Sequence, residues 1–264
     1  MGKTTVSAFA KRRAAGEKIV MITVGSAAES AAAVAAGIDV LLVGDSLGMT
    51  MLGYDTTIPV TMEMMLHHTK AVRRGAPEAF VIFDMPFMSY QTGVAEAVRN
   101  AGRALQEAGA DAVKLEGGAD PELIRKLVVS GIPVLGHLGL LPQSIQAVGS
   151  YRVVGRDEAE AARVISEAHA IEDAGAFSVV LECVPGELGS RITGELRIPT
   201  IGIGSGAGCS GQVQVLYDTL GITPRTPKHA KRFGEVGEAM RSALAAYAAE
   251  VKAGTFPAPE NTFK

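Results

Sequence analysis

Titratable side chains follow the predicted strands of this chain, at the point where each strand ends. In chain order these strand-end groups are Asp45 with Ser46, Asp84, Lys114 with Glu116, His137, and Glu182. In a barrel of parallel strands the C-terminal strand ends meet on one face, where barrel enzymes carry their chemistry. A single acid after a strand often caps the next helix instead. Five strands in succession favour one shared site.

Three of these residues, Asp45, Asp84 and Glu116, predict a site for a hard divalent cation. Carboxylates without thiolates or paired histidines suit Mg²⁺, which usually keeps positions open for substrate oxygens. Asp45 and Asp84 are direct oxygen ligands in this interpretation, whereas Glu116 is either a third ligand or acts through water.

The remaining strand-end groups indicate how an anionic substrate would be held. Lys114 needs an anionic partner, which is either a substrate carboxylate or a salt bridge to Glu116 or Asp84. His137 can donate to substrate or exchange a proton near neutral pH, although a histidine at a strand end is as often structural. Glu182 can act as a general base. Together they predict proton abstraction next to a metal-polarised carbonyl of an oxo acid, with the electrophile left open.

The frame that must position these groups is an alternation of eight short apolar strands with helices. The predicted strands are residues 19–24, 40–43, 80–83, 112–115, 133–136, 178–181, 200–203 and 212–217. Continuous apolar runs such as Val40–Val43 are typical of strands buried on both faces. Eight such units favour a closed (β/α)8 barrel, as a single domain over residues 1–264, above an open doubly wound sheet.

Several segments outside the strands carry further expectations. Ser7 is predicted to cap a short N-terminal helix that Gly16 ends and that closes one end of the barrel. Residues 47–59 are predicted to be irregular, residues 234–252 a C-terminal helix, and residues 256–264 a tail. His67 and His68 are placed on the outer surface of a helix, where they make a poor metal site. The glycine-rich run 202–208 is interpreted as a tight barrel loop, because a dinucleotide fingerprint belongs at a first βα turn.

Composition narrows the class of protein. The 264 residues are 47% hydrophobic and carry 25 basic against 28 acidic side chains, which gives no indication of nucleic-acid binding. The two cysteines, Cys183 and Cys209, form no CxxC pair and fit a reducing compartment. The N-terminus lacks an apolar signal core and no apolar run reaches membrane length, so the expected location is the cytoplasm, without a membrane partner.

Long segments around these residues resemble the ketopantoate hydroxymethyltransferase family. The matching segments are LLVGDSLGMTMLGYDTTIPVT (41–61), HHTKAVRRGAP (67–77), DMPFMSYQ (84–91), AVKLEGG (112–118), GIPVLGHLGLLPQS (131–144), VLECVP (180–185) and IPTIGIGSGAGCSGQV (198–213). They occur in the family's order and cover most of the chain. The resemblance implies a (β/α)8 barrel assembled into a homodecamer, a pentamer of dimers.

The activity that the resemblance implies is transfer of a hydroxymethyl group from 5,10-methylenetetrahydrofolate, a co-substrate, to 3-methyl-2-oxobutanoate. The product is 2-dehydropantoate (ketopantoate), a precursor of pantothenate and coenzyme A, formed through an enolate that one Mg²⁺ per subunit stabilises. The family's metal positions fall on Asp45, Asp84 and Glu116, and its oxo-acid contacts on Asp45, Ser46, Asp84 and Lys114. Its proton acceptor falls on Glu182, and His137 lies in the same pocket.

One departure from the family pattern leaves alternatives open. The chain reads Thr23-Val24-Gly25-Ser26 where the family usually has Thr-Ala-Tyr-Asp. A related metal-dependent aldolase or lyase acting on another 2-oxo acid is therefore an alternative. An oligomeric or binding barrel without catalysis is a further one, which the retained strand-end residues argue against.

Overall fold

The computed structural model describes residues 4–118 and 120–263. Both ends of the predicted domain 1–264, and the last residue of the predicted tail, lie outside the described residues. Eight parallel strands form a closed barrel in sequence order, and the last strand pairs with the first. The strands are β1 (Ile19–Thr23), β2 (Val40–Val43), β3 (Phe80–Asp84), β4 (Ala112–Glu116), β5 (Val134–Gly139), β6 (Ser178–Glu182), β7 (Thr200–Ile203) and β8 (Gly211–Gln214). The predicted (β/α)8 barrel is confirmed.

Several of the helices that follow the strands begin at a side-chain cap. Thr61, Asp120 and Asp157 each accept a hydrogen bond from the backbone N–H three residues on, which satisfies an otherwise unpaired donor. The helices are α1 (Val6–Ala15), α2 (Ala27–Ala35), α3 (Leu47–Thr50), α4 (Met62–Gly75), α5 (Val94–Gln106), α6 (Pro121–Val129), α7 (Ile145–Val148), α8 (Glu158–Asp173), α9 (Gly186–Glu195), α10 (Leu216–Thr219) and α11 (Val236–Ala253), with 3-10 turns at Pro142–Ser144 and Pro259–Asn261.

The strand alternation decides which side chains face the barrel interior. Side chains two residues apart on a strand share a face. Phe80 and Ile82 of β3 belong to the buried core, so Asp84 continues the same inward row. Leu135 of β5 is also in the core and is followed on the same face by His137. The same alternation places Lys114 and Glu116 after Ala112, and Glu182 after Val180.

The N-terminal helix closes one end of the barrel, as predicted. Phe9 of α1 is 1% exposed, and its ring centroid lies 5.4 Å from that of Phe80 and 4.9 Å from that of Phe177. Both partners stand where strands begin, so Phe9 fills the N-terminal end of the barrel. Gly16 ends the helix with φ 70°. The predicted Ser7 cap is wrong, because the helix begins at Val6 and Ser7 lies inside its first turn.

Several further boundaries differ from the prediction. The eighth strand was expected to reach Tyr217 but ends at Gln214, because Leu216–Thr219 turns into a short helix. The stretch 47–59 was expected to be irregular, yet Leu47–Thr50 is helical and buries Leu47. Strands β4, β5 and β6 run further than predicted, because their ladder continues through the pairs Glu116–His137 and Gly139–Glu182.

The chain divides into two compact units between Val215 and Leu216. The first contains the barrel and α1 to α9. In the second, Thr223 donates to Asp218 at 2.6 Å, and α11 exposes an apolar stripe at helical spacing, formed by Met240, Leu244, Tyr247 and Val251. One domain over the whole chain stays a prediction. Among the described residues, no helix has both the length and the apolar character that crossing a membrane requires.

Candidate active site

The parallel register brings the strand-end groups together. Asp84 is the ladder partner of Lys114, Glu116 of His137, and Gly139 of Glu182. Because these partners stand on adjacent strands and face inward, their side chains meet at the C-terminal end of the barrel. The structure therefore brings the predicted strand-end groups together at one end of the barrel.

A buried ion pair lies at the centre of this site. Lys114 Nζ donates to Asp84 Oδ1 at 2.6 Å, and the two side chains are 6% and 3% exposed. Of the two anionic partners that the sequence allowed for Lys114, the structure has the salt bridge to Asp84, with Glu116 Oε1 at 4.0 Å. Burial opposes the charge on Lys114, but these carboxylates outweigh it and raise the pKa of Lys114. Burial also raises the pKa of Asp84, against the attraction of Lys114.

Asp45 follows β2 and is buried, and no Lys, Arg or His side chain among residues 4–118 and 120–263 forms an ion pair with it. Its backbone N–H donates to Asp84 Oδ2 at 3.3 Å, and its Oδ2 accepts from Gln143 Nε2 at 3.0 Å. Burial, with the nearby charges of Asp84 and Glu116, raises the pKa of Asp45 well above its usual value. The site thus concentrates negative charge that a bound cation would neutralise.

His137 lies between two carboxylates. Its Nδ1 is 3.5 Å from Glu116 Oε1 and its Nε2 is 3.2 Å from Glu182 Oε2. Within the described part of the chain, neither ring nitrogen makes a well-aligned hydrogen bond. Burial and Lys114 disfavour the imidazolium, but the two glutamates outweigh them and raise the pKa of His137 to about 9. In turn His137 and Lys114 overcome burial and lower the pKa of Glu116.

Ser46 stands at the edge of the same cluster. It precedes α3, but its side chain does not cap that helix. A Cβ on Gly44 would lie 3.1 Å from Ser46 Oγ and 3.8 Å from Asp84 Oδ2. A side chain at position 44 would therefore crowd the Ser46 hydroxyl, and glycine at this position avoids that contact.

Tyr90 and Gln143 also belong to the site, and sequence reasoning missed both. The Tyr90 hydroxyl donates to Gln143 Oε1 at 2.8 Å, and the Gln143 backbone N–H donates to Glu116 Oε2 at 3.0 Å. Both residues come from loops, where spacing carries no periodic signal. The available signal was that each falls inside a segment that resembles the family.

The Gly25-Ser26 departure has a local structural counterpart. Ser26 caps α2 in a reciprocal arrangement with Glu29, so the serine serves the helix start. A Cβ on Gly25 would lie 2.5 Å from Met51 Sδ, and the Gly25 carbonyl accepts from His68 Nδ1 at 2.7 Å. Met51 thus fills the space in which a larger side chain at position 25 would begin. The predicted outer placement is wrong for His68, since α4 turns it toward this loop.

The donor set fits a magnesium ion, although it does not form a complete cage. Across residues 4–118 and 120–263, no three His, Cys, Asp or Glu side chains are gathered closely enough to hold an ion by themselves. Mg²⁺ is commonly held by one or two carboxylates together with substrate oxygens and water. Asp45 and Asp84 supply such a pair, since the Asp45 backbone N–H lies 3.3 Å from Asp84 Oδ2.

Comparison with known proteins gives concordant matches. A model of the family described as ketopantoate hydroxymethyltransferase matches residues 3–259. The 3-methyl-2-oxobutanoate hydroxymethyltransferase of Syntrophus aciditrophicus (strain SB) is 56% identical over 99% of this chain and 97% of its own. The enzyme of the same name from Carboxydothermus hydrogenoformans is 52% identical over 100% of this chain and 96% of its own.

Solved structures of other barrels share the fold at low identity. A 2,3-dimethylmalate lyase of the PEP mutase/isocitrate lyase superfamily superposes with TM-score 0.59 at 15% identity, covering 98% of this chain and 89% of its own. A phosphonopyruvate hydrolase in complex with oxalate and Mg²⁺ gives TM-score 0.61 at 12% identity, covering 99% and 92%. At these identities the likeness establishes the barrel architecture alone.

Proposed function

Because this chain belongs to the ketopantoate hydroxymethyltransferase family, we propose that it condenses 3-methyl-2-oxobutanoate with the one-carbon unit of 5,10-methylenetetrahydrofolate. The enzyme is a hydroxymethyltransferase. In the proposed reaction C3 of the oxo acid loses a proton and gains the one-carbon unit, while water supplies the hydroxyl and tetrahydrofolate is released. The product, ketopantoate, would serve pantothenate and coenzyme A synthesis in the cytoplasm.

The observation that carries this proposal is the buried group of three carboxylates, Asp45, Asp84 and Glu116, at the C-terminal barrel face. We assign them the binding of one Mg²⁺ per subunit, with Asp45 and Asp84 as direct ligands and Glu116 acting through water, because the described side chains do not form a three-residue cage. When bound, the ion would polarise the keto group of the substrate and stabilise the enolate that forms from it. The raised pKa of Asp45, which arises from burial and from its acidic neighbours, is the electrostatic signature of a site that favours a cation.

The chain's own residues supply binding and proton transfer. We assign to Ser46 and Lys114 the contacts with the oxo acid, together with Asp45 and Asp84. Lys114 keeps its positive charge because of its buried carboxylate neighbours, and it can therefore attract an anionic substrate. Its ion pair with Asp84 holds the ammonium group at a fixed position.

Glu182 is the proposed proton acceptor from C3. It is the least buried of the site's carboxylates, with its side chain 15% exposed, and lies beside His137 at 3.2 Å. The carboxylate form of a glutamate is the form that can accept a proton. Glu116 on the other side of His137 keeps the imidazole in place.

The alternative function is a related metal-dependent aldolase or lyase that acts on another 2-oxo acid. The observation that favours it is Met51 beside Gly25, since Met51 fills the space in which a larger side chain at position 25 would begin. Both functions share proton abstraction, so they separate only at the second, folate-dependent step.

A paired assay tests the proposal. Purified protein with Mg²⁺ is expected to exchange the C3 proton of 3-methyl-2-oxobutanoate in D₂O, and to form ketopantoate only when methylenetetrahydrofolate is added. Glu182→Gln is expected to lose both reactions, whereas Glu187→Gln, an exposed glutamate in the first turn of α9, should retain them. Exchange without product would favour the alternative, and no reaction with any divalent metal would overturn the proposal.

We also propose that the protein is a homodecamer. The stripe of Met240, Leu244, Tyr247 and Val251 on α11 is exposed in the single chain and supports self-association, since exposed apolar stripes of this kind mark interfaces. Light scattering coupled to gel filtration is expected to give the mass of ten chains. A monomer would overturn this assignment without affecting the proposed reaction.

A further inference from the structure

Gln143 makes contacts that its place in a loop does not require. It lies in the 3-10 turn Pro142–Ser144 after β5 and is 3% exposed. Its Nε2 donates to Asp45 Oδ2 at 3.0 Å and to the Met85 carbonyl at 2.9 Å. Because a primary amide nitrogen has two hydrogens, both donors are engaged.

The amide oxygen is held equally well. Gln143 Oε1 accepts from the Tyr90 hydroxyl at 2.8 Å and from Gln91 Nε2 at 3.4 Å. The Tyr90 oxygen accepts in turn from the backbone N–H of Glu116 at 3.2 Å. Exchanging the amide oxygen and nitrogen would point oxygen at the Met85 carbonyl and at a carboxylate, so the network permits only one orientation of the amide.

The same residue touches two of the proposed metal ligands, each on one oxygen. The side chain binds Oδ2 of Asp45, and the backbone N–H binds Oε2 of Glu116 at 3.0 Å. The other oxygen of Glu116 faces His137 and Lys114. Gln143 therefore fixes the rotation of both carboxylates, and with it which oxygens remain directed at the site.

We propose that Gln143 is a positioning residue for the divalent-cation site and that Tyr90 holds its amide in the required orientation. The inference rests on the proposed function, because it assigns Asp45 and Glu116 to the cation. Residues that orient metal ligands contribute to affinity without touching the ion. Gln143 acts on Asp45 through a hydrogen bond that an apolar side chain of similar length cannot make.

The test measures Mn²⁺ binding without substrate, from the electron paramagnetic resonance signal of the free ion. Gln143→Met is expected to weaken binding about 10- to 100-fold, the range typical for loss of a ligand-orienting group. Tyr90→Phe should weaken it less, because the bonds from Nε2 remain. The double variant should bind Mn²⁺ no more weakly than Gln143→Met alone, since both substitutions disrupt the same hydrogen-bond network. Gln146→Met is the matched control and should bind as the wild type does, because this glutamine lies exposed on α7.

The outcomes separate this inference from the function on which it rests. Wild-type affinity in a folded Gln143→Met protein overturns the inference alone. If that variant does not fold, a Tyr90→Phe protein with wild-type affinity overturns it instead. A crystal structure of either variant supports it if the Asp45 carboxylate has rotated. Absence of Mn²⁺ binding to the wild type overturns the proposed cation site and the inference with it.

Discussion

Lys114 Nζ and Asp84 Oδ1 are 2.6 Å apart inside the barrel, and Arg99 Nη1 and Glu96 Oε2 are the same distance apart on the surface of α5. The first pair is 6% and 3% exposed, and the second 67% and 43%. Because the two pairs have the same distance but different exposure, comparing them separates the effect of burial on stability from the effect of the contact itself.

Removing one partner of the buried pair should therefore cost far more than removing one of the exposed pair. Lys114→Met leaves Asp84 as a buried charge without its partner, with an expected loss of about 3–5 kcal/mol in the free energy of unfolding. Arg99→Met should lose less than about 1 kcal/mol, because solvent screens the surface pair. Urea unfolding of both variants in EDTA measures the difference. Similar losses would contradict it.

Stability of the metal-free protein should fall as the pH rises from about 6.5 to about 9. The pKa of His137 is raised to about 9 in the fold, because Glu116 and Glu182 outweigh burial and Lys114. A histidine whose pKa is higher in the folded than in the unfolded protein stabilises the fold fully at a pH below the unfolded-state pKa. That contribution is lost as the pH rises through the folded-state pKa. The full effect is about 3 kcal/mol.

His137→Gln provides the control for this pH dependence. Asp45, whose raised pKa acts in the same direction, is present in both proteins. The difference between the two stability profiles therefore isolates the imidazole. Parallel profiles from pH 6.5 to 9 would show that His137 is not the charged group.

Two glycines with similar backbone angles should respond differently to alanine. Gly139 has φ 96°, and a Cβ there would clash with the Glu182 carbonyl, whereas Gly149 has φ 80° and open space around it. Gly149→Ala should cost about 1–2 kcal/mol from its left-handed backbone alone. Gly139→Ala should cost about 1–3 kcal/mol more, from overpacking.

The clash with the Glu182 carbonyl in the Gly139→Ala variant should also lower catalytic activity. Gly139→Ala would push the end of β6, and if Glu182 is the proton acceptor that we propose, moving it by about 1 Å is expected to lower turnover roughly 100-fold. Gly149→Ala should leave kcat unchanged. Thermal unfolding and the proton-exchange assay measure the two effects on the same samples, and equal kcat in both variants would contradict this account.

Phe9 should stabilise the barrel without taking part in its chemistry. Phe9→Ala removes a buried ring that packs on Phe80 and Phe177, with an expected loss of about 3–5 kcal/mol. Phe263→Ala, at a fully exposed ring, should change stability by less than about 0.5 kcal/mol. At a temperature where both variants are folded, kcat should equal that of the wild type. A lower kcat for Phe9→Ala would contradict this prediction, because it would show that packing at the N-terminal end of the barrel affects the reaction at the other end.

Strand alternation explains why the charged part of the site was predictable. Because Phe80 and Ile82 face the core, Asp84, two residues further on, must face inward as well. The same argument applies to each strand whose alternate side chains face the barrel interior. Gln143 and Tyr90 lie in loops, whose course depends on tertiary contacts that no local period encodes. The predicted end of β8 was wrong for a related reason. Leu216 and Tyr217 are apolar enough for a strand, but they begin a short helix.

Phe9 fills one end of the barrel, and Asp84 and Lys114 lie at the other. We therefore expect both proposed substrates to reach Asp84 and Lys114 from the side of the C-terminal strand ends. In the proposed reaction the oxo acid contacts Asp84 and Lys114, so a larger one-carbon donor that bound first would block its approach. The expected kinetic sequence is therefore ordered, with the oxo acid first to enter and its product last to leave.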